Sequence, residues 1–161
     1  MEKKEPEPPS KKVDIFKTRV KDLQGWGKLQ ENERQLLEII QGLDSNYDDL
    51  LIVVEGKRDI SVLENLGVKA PKIRTQSRLS RIDTAEKIAI TAGDKGQVLI
   101  LTDFDKKGKE ICRFIETELE LRRVKVLKRE RRMIRKLMGP WRCIEELSSL
   151  FKRSDSPEVS H

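Results

Sequence analysis

Histidine is almost absent from this 161-residue chain: the one present, His161, is the last residue. That argues against a Ser-His-Asp triad, a Cys-His pair and a His-built zinc site. Cysteine is scarce too. Cys112 and Cys143 are too few for a disulfide framework and lack metal-ligand spacing. They read as small apolar residues buried in a reducing compartment. No stretch approaches the ~18 apolar residues of a membrane helix. The opening MEKKEPEPPSKK holds no apolar run, so no secretory signal is expected and the cytoplasm is the expected compartment. Glycine-rich phosphate loops are missing: Gly56 stands alone where a dinucleotide fingerprint needs three glycines. Gly56-Lys57-Arg58 and Gly93-Asp94-Lys95-Gly96 both fail the P-loop pattern. What remains for chemistry is carboxylates, lysines and a hard metal ion.

Charge is what the chain has in excess. Charged residues make up 39% of it, against roughly 25% in ordinary globular chains. The net +6 is unevenly placed: residues 1–49 sum to −2, residues 50–121 to +1 and residues 122–161 to +7. Residues 122–136 alone hold nine bases and one acid, Glu130. Such a segment reads as a phosphate site, most plausibly for nucleic acid. It reads equally as a solvated helix face, or as a face packed on the acidic N-terminal helix.

Apolar residues come in blocks. Leu29, Leu36, Leu37, Ile40 and Leu43 predict an N-terminal helix. Leu50-Leu51-Ile52-Val53-Val54 and Val98-Leu99-Ile100-Leu101 are short uninterrupted runs, as in strands of a parallel sheet buried on both faces. Weaker strands are expected at Lys72–Thr75 and Val124–Leu127. Between them, Asp59 would cap a helix through Ile60, Leu63 and Leu66, and Asp83 a helix through Ala85, Ile88, Ala89 and Ala92. A loop with Gly108 leads to a helix on Ile111, Ile115 and Leu119. Alternating strands and helices predict an α/β fold with a mainly parallel sheet. A basic helix follows over Lys128–Met138, with Met133, Ile134, Leu137 and Met138 as its apolar stripe. Trp141, Ile144, Leu147 and Phe151 predict a final short helix. Residues 1–12 and 152–161 read as disordered tails.

Both strong strands end in acids: Glu55 after the first, Asp103 and Asp105 after the second. In open parallel sheets, function gathers beyond the carboxyl ends of the strands. If the two strands are neighbours, three carboxylates converge there and repel one another unless a cation sits among them. All-oxygen ligands select Mg2+ or Mn2+, one ion or two. Phosphoryl transfer or phosphodiester cleavage is the chemistry that follows. Against this, Asp105 has the position of a helix cap. A receiver-like phosphoacceptor domain would carry two acids at the first strand and one later, the reverse of this pattern.

Leu51-Ile52-Val53-Val54-Glu55-Gly56-Lys57-Arg58-Asp59, followed by Val98-Leu99-Ile100-Leu101-Thr102-Asp103-Phe104-Asp105-Lys106-Lys107-Gly108, resembles the two motifs of a Toprim domain. Topoisomerases, DnaG-type primases, OLD-family nucleases and the bacterial ribonuclease that matures five-S ribosomal RNA share that module. The resemblance covers residues 50–128, and is nearest to the small stand-alone Toprim proteins of archaea. It implies a Rossmann-like sheet of about four strands; the residue pattern adds a helical extension at 13–49 and a basic one at 129–151. The resemblance implies Glu55 as general acid/base and metal neighbour, and Asp103 and Asp105 as holders of Mg2+. Gly56 and Gly108 would let backbone pass close to the site. Lys57 would contact phosphate, and Asp59 would serve as helix cap or outer acid. Phe104 would point into the core. Arg131, Arg132 and Arg135 are the expected nucleic-acid contacts.

Two functions are thus expected. One is a Mg2+-dependent endonuclease on structured RNA, or less readily DNA. The other is a non-catalytic subunit that binds metal and nucleic acid within an RNA-processing, repair or primase-like assembly. Topoisomerase activity is not expected, since the lone Tyr47 just before the first strand reads as structural.

Overall fold

A strand reading Leu-Leu-Ile-Val-Val has no polar side to turn toward water, so both of its faces must be covered. The computed structural model, which describes residues 30–149, places β1 (Leu50–Val54) at the centre of the sheet, buried throughout. β2 (Lys72–Arg74) lies on one side of it and β3 (Gln97–Ile100) on the other, with β4 (Lys125–Val126) beyond β3. The order is β2-β1-β3-β4 and every pairing is parallel. In the central pair, Leu51 is level with Val98 and Val53 with Ile100.

Alternation along the strands divides the core in two. Leu50, Ile52, Val54, Leu99 and Leu101 face one side. There they meet α1 (Glu31–Gln41), α2 (Leu43–Asn46), α3 (Lys57–Asn65), α6 (Lys128–Met138) and a 3-10 turn at Ile144–Leu147. Leu51, Val53, Val98 and Ile100 face the other side, against α4 (Arg81–Ala92) and α5 (Lys106–Leu121). The fold is α/β and Rossmann-like, a four-stranded all-parallel sheet flanked by helices, as the alternating pattern predicts.

The segments flanking 50–128 complete one layer of this fold. Acidic α1 packs on basic α6, one of the readings open to that helix. Tyr47 Oη donates to Glu130 Oε2 at 3.1 Å and fastens the pair, so Tyr47 is structural as expected. The expected tails 1–12 and 152–161, most of the segment before α1, Leu29 and Phe151 lie outside the described residues.

Several local expectations are corrected. α3 opens at Gly56, not Asp59: Asp59 sits in the first turn and its Oδ2 accepts from Gly56 N–H at 3.0 Å. α4 opens at Ser80, whose Oγ accepts from Asp83 N–H at 3.1 Å. Ser80-Arg81-Ile82-Asp83 is itself a capping pattern, three residues before the expected one. Gly108 lies inside α5, not in a loop. Residues 144–147 form the expected short helix, in 3-10 form, with Ile144 and Leu147 buried. On α6, Met133 is 41% exposed while Arg131 is buried. The helical period explains this: Leu127, Arg131, Ile134 and Met138 share a face, and Met133 lies about 100° from Ile134.

Candidate metal centre

After β1 the chain runs out to β2, then returns to β3 on the opposite side of β1. An open sheet forms its ligand crevice at such a reversal, beyond the carboxyl ends of the strands. Glu55 leaves β1 at this point, and Asp103 and Asp105 follow β3. One carboxylate oxygen from each lies within 4.8 Å of the other two. The three acids singled out in the sequence therefore meet, because their strands are neighbours.

Backbone groups hold each acid in place. Asp103 N–H donates to Glu55 Oε2 at 2.9 Å. Gly108 N–H donates to Asp105 Oδ1 at 2.8 Å, so Asp105 does cap α5. That leaves Asp105 Oδ2 with no protein donor among the described residues, and capping does not exclude a second role. Phe104, between the two aspartates, is buried as expected.

The electrostatics are those of crowded acids. Burial pushes Asp103 up to about 7, and the charges of Glu55, Asp59, Asp105 and Glu145 push the same way. Glu55 is raised mainly by burial, against the Asp103 N–H bond, with Asp105 and Asp59 adding to the rise. Asp59 is also raised, again mainly by burial. A divalent cation would reverse all three shifts. The donors are carboxylate oxygens alone, which fits Mg2+ or Mn2+ and does not fit zinc or copper.

Arg131 corrects the sequence reading. It was expected on a nucleic-acid face, yet it lies beneath the loop that carries Asp103 and Asp105, only 8% exposed. Its Nη1 donates to Ile100 O at 2.8 Å and Thr102 O at 3.0 Å, and its Nη2 to Asp103 O at 3.3 Å. The guanidinium stacks 4.3 Å from the centre of the Phe104 ring. Arg131 is therefore a clamp on residues 100–104. Arg135 is half-buried beside it, donating to Gly139 O and lying 5.6 Å from the same ring. Arg132 is exposed, as a phosphate contact must be.

Lys57 is exposed in the first turn of α3 and lines a groove of about 360 Å³ with Glu55, Asp59 and Asp103. Glu145, which the sequence reading missed, lines the same groove and pairs with Arg58 at 3.3 Å. No local pattern marks it. Phe104 N–H donates to Arg142 O at 2.7 Å, and that tertiary bond brings the C-terminal turn to the rim.

Gly108 is required by close approach. A Cβ there would fall 2.1 Å from Asp103 O and 2.6 Å from its carbonyl carbon. Both are backbone atoms, so α5 and the loop that carries Asp103 would have to part. Gly108→Ala is expected to cost about 3 kcal/mol and to weaken any Mg2+-induced rise in melting temperature. Thermal unfolding with and without Mg2+ checks this. Gly56→Ala is the control, since its Cβ would meet only the end of the Gln76 side chain, at 2.9 Å.

Fold and site together define a Rossmann-like α/β protein with an acidic crevice at the carboxyl edge of its sheet. The chain belongs to the UPF0292 family. It is 39% identical over 124 residues to a UPF0292 protein of Thermococcus gammatolerans, covering 76% of this chain and 88% of that one. It is 35% identical over 127 residues to one from Thermococcus sibiricus, covering 78% and 95%. A UPF0292 protein of Methanocaldococcus jannaschii is 35% identical over 95 residues, covering 57% and 70%. No family model matches the chain. A solved structure, a putative protein from Aquifex aeolicus, superposes with a TM-score of 0.52 at 23% identity, covering 74% of this chain and 97% of that one. At that identity the likeness shows the fold.

Proposed function

We propose that this chain is a cytoplasmic Toprim-type enzyme that cleaves phosphodiester bonds with Mg2+, an endonuclease on structured nucleic acid, RNA before DNA. The observation that carries the reading is the convergence of Glu55, Asp103 and Asp105 at the reversal point of the sheet. These three residues would hold the ion, with Mn2+ as substitute. When bound, Mg2+ supplies charge stabilisation to the phosphoryl oxygens. The chain's own residues do the rest. Glu55 is held at Oε2 by Asp103 N–H, which fixes the carboxylate that would accept a proton beside the ion. Lys57, exposed at the groove, contacts the substrate phosphate. Asp59 holds the turn between β1 and α3 through Gly56 N–H. Arg131 and Gly108 set the backbone of Asp103 from below.

The second reading, a non-catalytic metal- and nucleic-acid-binding subunit, draws support from the arginines. Arg131 is occupied by carbonyls and Arg135 partly so, which thins the expected contact surface to Arg132 and its exposed neighbours. Incubating the full chain with structured RNA and with DNA, with Mg2+, Mn2+ or chelator, separates the two. Metal-dependent cleavage that disappears in Asp103→Asn supports the enzyme. Binding with no cleavage under any condition supports the subunit. In the same binding assay, Lys57→Gln and Arg132→Gln should each reduce the salt slope by about one unit if the residue contacts a phosphate. An unchanged slope removes that residue from the interface.

A further inference from the structure

A second cavity opens on the other side of Glu55, between the end of β2, the start of α4 and the first turns of α5. Its volume is about 290 Å³. That is at the lower end for ligand pockets, enough for one nucleotide and too small for a base pair. Its walls are of three kinds.

One wall is cationic. Arg81 and Lys107 line the cavity, and neither has an ion pair among the described residues. Arg81 is also the first residue of the 12-residue helix α4, whose N-terminus is already capped by Ser80 Oγ. A second wall is apolar: Leu79, Ile111 and Ile115. Leu79 is 44% exposed, a large apolar side chain that the fold leaves open. The third is polar. Thr75 Oγ1 is buried without a hydrogen-bond partner, the one such side-chain atom among the described residues. Its hydroxyl is closed to solvent, so the polar side chain open to the cavity is Gln76. Gln76 lies beside it, its N–H bonded to Glu55 O at 2.9 Å.

A free phosphate would leave the apolar wall unused, and a lipid chain would bury the cations. A nucleotide matches all three walls, with its phosphate on Lys107 and Arg81, the face of its base on the aliphatic side chains, and a polar edge toward Gln76. Resting on the reading of the acidic cluster as a phosphodiester-cleaving centre, we propose that this cavity binds one unpaired nucleotide of the substrate strand, next to the scissile phosphate. Glu55 lines both the cavity and the metal groove, so the bound nucleotide neighbours the reacting bond. The substrate is then a loop, bulge or end, because a paired base cannot enter without leaving its stack.

The test is titration of the full chain, in chelator, with AMP, CMP, ribose 5-phosphate and inorganic phosphate, followed by calorimetry or NMR. AMP and CMP are expected to bind at least tenfold more tightly than ribose 5-phosphate. Leu79→Asp should remove that advantage, and Lys107→Gln should weaken nucleotide binding at least fivefold. Both side chains are substantially exposed, so neither change threatens the fold. Equal affinity for AMP, ribose 5-phosphate and phosphate would overturn the proposal in favour of a phosphate subsite. No binding, or binding unaffected in both variants, would also overturn it. Mn2+ binding, measured separately, keeps the two readings apart. Mn2+ binding without nucleotide binding overturns the pocket and spares the centre. Nucleotide binding without Mn2+ binding supports the pocket and removes the centre.

Discussion

Arg131→Met is expected to destabilise the protein by about 3–5 kcal/mol, a fall in melting temperature of roughly 10–20 °C. The substitution keeps an aliphatic stem of similar length on the inner face of α6 but removes every donor. The carbonyls of Ile100, Thr102 and Asp103 are then left in a buried setting without the guanidinium. Each unmet buried acceptor costs about 1–3 kcal/mol, reduced where water enters. The stacking on Phe104 is lost as well, at about 0.5–2 kcal/mol. Burial lowers the pKa of Arg131, opposed by charges that include Glu55 and Asp103, yet the group stays cationic at any working pH. Its removal therefore also takes a fixed positive charge from beneath the acids. Arg131→Lys should recover little, because an ammonium does not span three carbonyls as a planar fork does. Thermal and urea unfolding of both variants measure this. A loss below about 1 kcal/mol in Arg131→Met would show that the clamp is dispensable.

The second large effect is expected at Asp103→Asn, and its sign depends on pH and metal. Without metal, the folded state holds the Asp103 proton up to about pH 7, whereas an unfolded aspartate releases it near 3.8. Between those values the native state carries more protons than the unfolded state. Stability from this group is complete below pH ~4 and is lost as pH rises through ~7. Asparagine is neutral throughout, so in chelator the variant should be more stable than wild type at pH 8 and close to it at pH 4. Mg2+ should reverse the ranking at pH 8, because it binds the ionised carboxylate and displaces the proton. The expected pattern is a Mg2+-induced rise in melting temperature for wild type that grows from pH 6 to pH 8, and none for Asp103→Asn. Equal Mg2+ responses in the two proteins would remove Asp103 from the metal set.

The sheet and the acids were legible because both rest on local patterns. A short run with no polar member admits only a strand covered on both faces. Two such runs joined by helical segments imply a parallel pair, and acids at their carboxyl ends fall on one rim. Arg131 was misread because counting bases ignores helical phase. Leu127, Arg131, Ile134 and Met138 are spaced 4, 3 and 4 apart, an inner face with an arginine in it. That spacing was a signal available in the sequence. Glu145 had none, since its place depends on the bond between Phe104 N–H and Arg142 O across the fold. The cavity beside Glu55 also escaped notice, because its walls join Glu55, residues 75–84 and residues 107–115, which only the fold brings together.

The clamp from Arg131 also sets an order of events during synthesis. By residue 105 the nascent chain contains all three acids. The guanidinium that holds their loop emerges only 26 residues later, and the Arg142 carbonyl that accepts from Phe104 N–H later still. During synthesis the three acids therefore exist before the residues that support their loop. The loop gains its full set of contacts only when α6 and the turn at Ile144–Leu147 have been made.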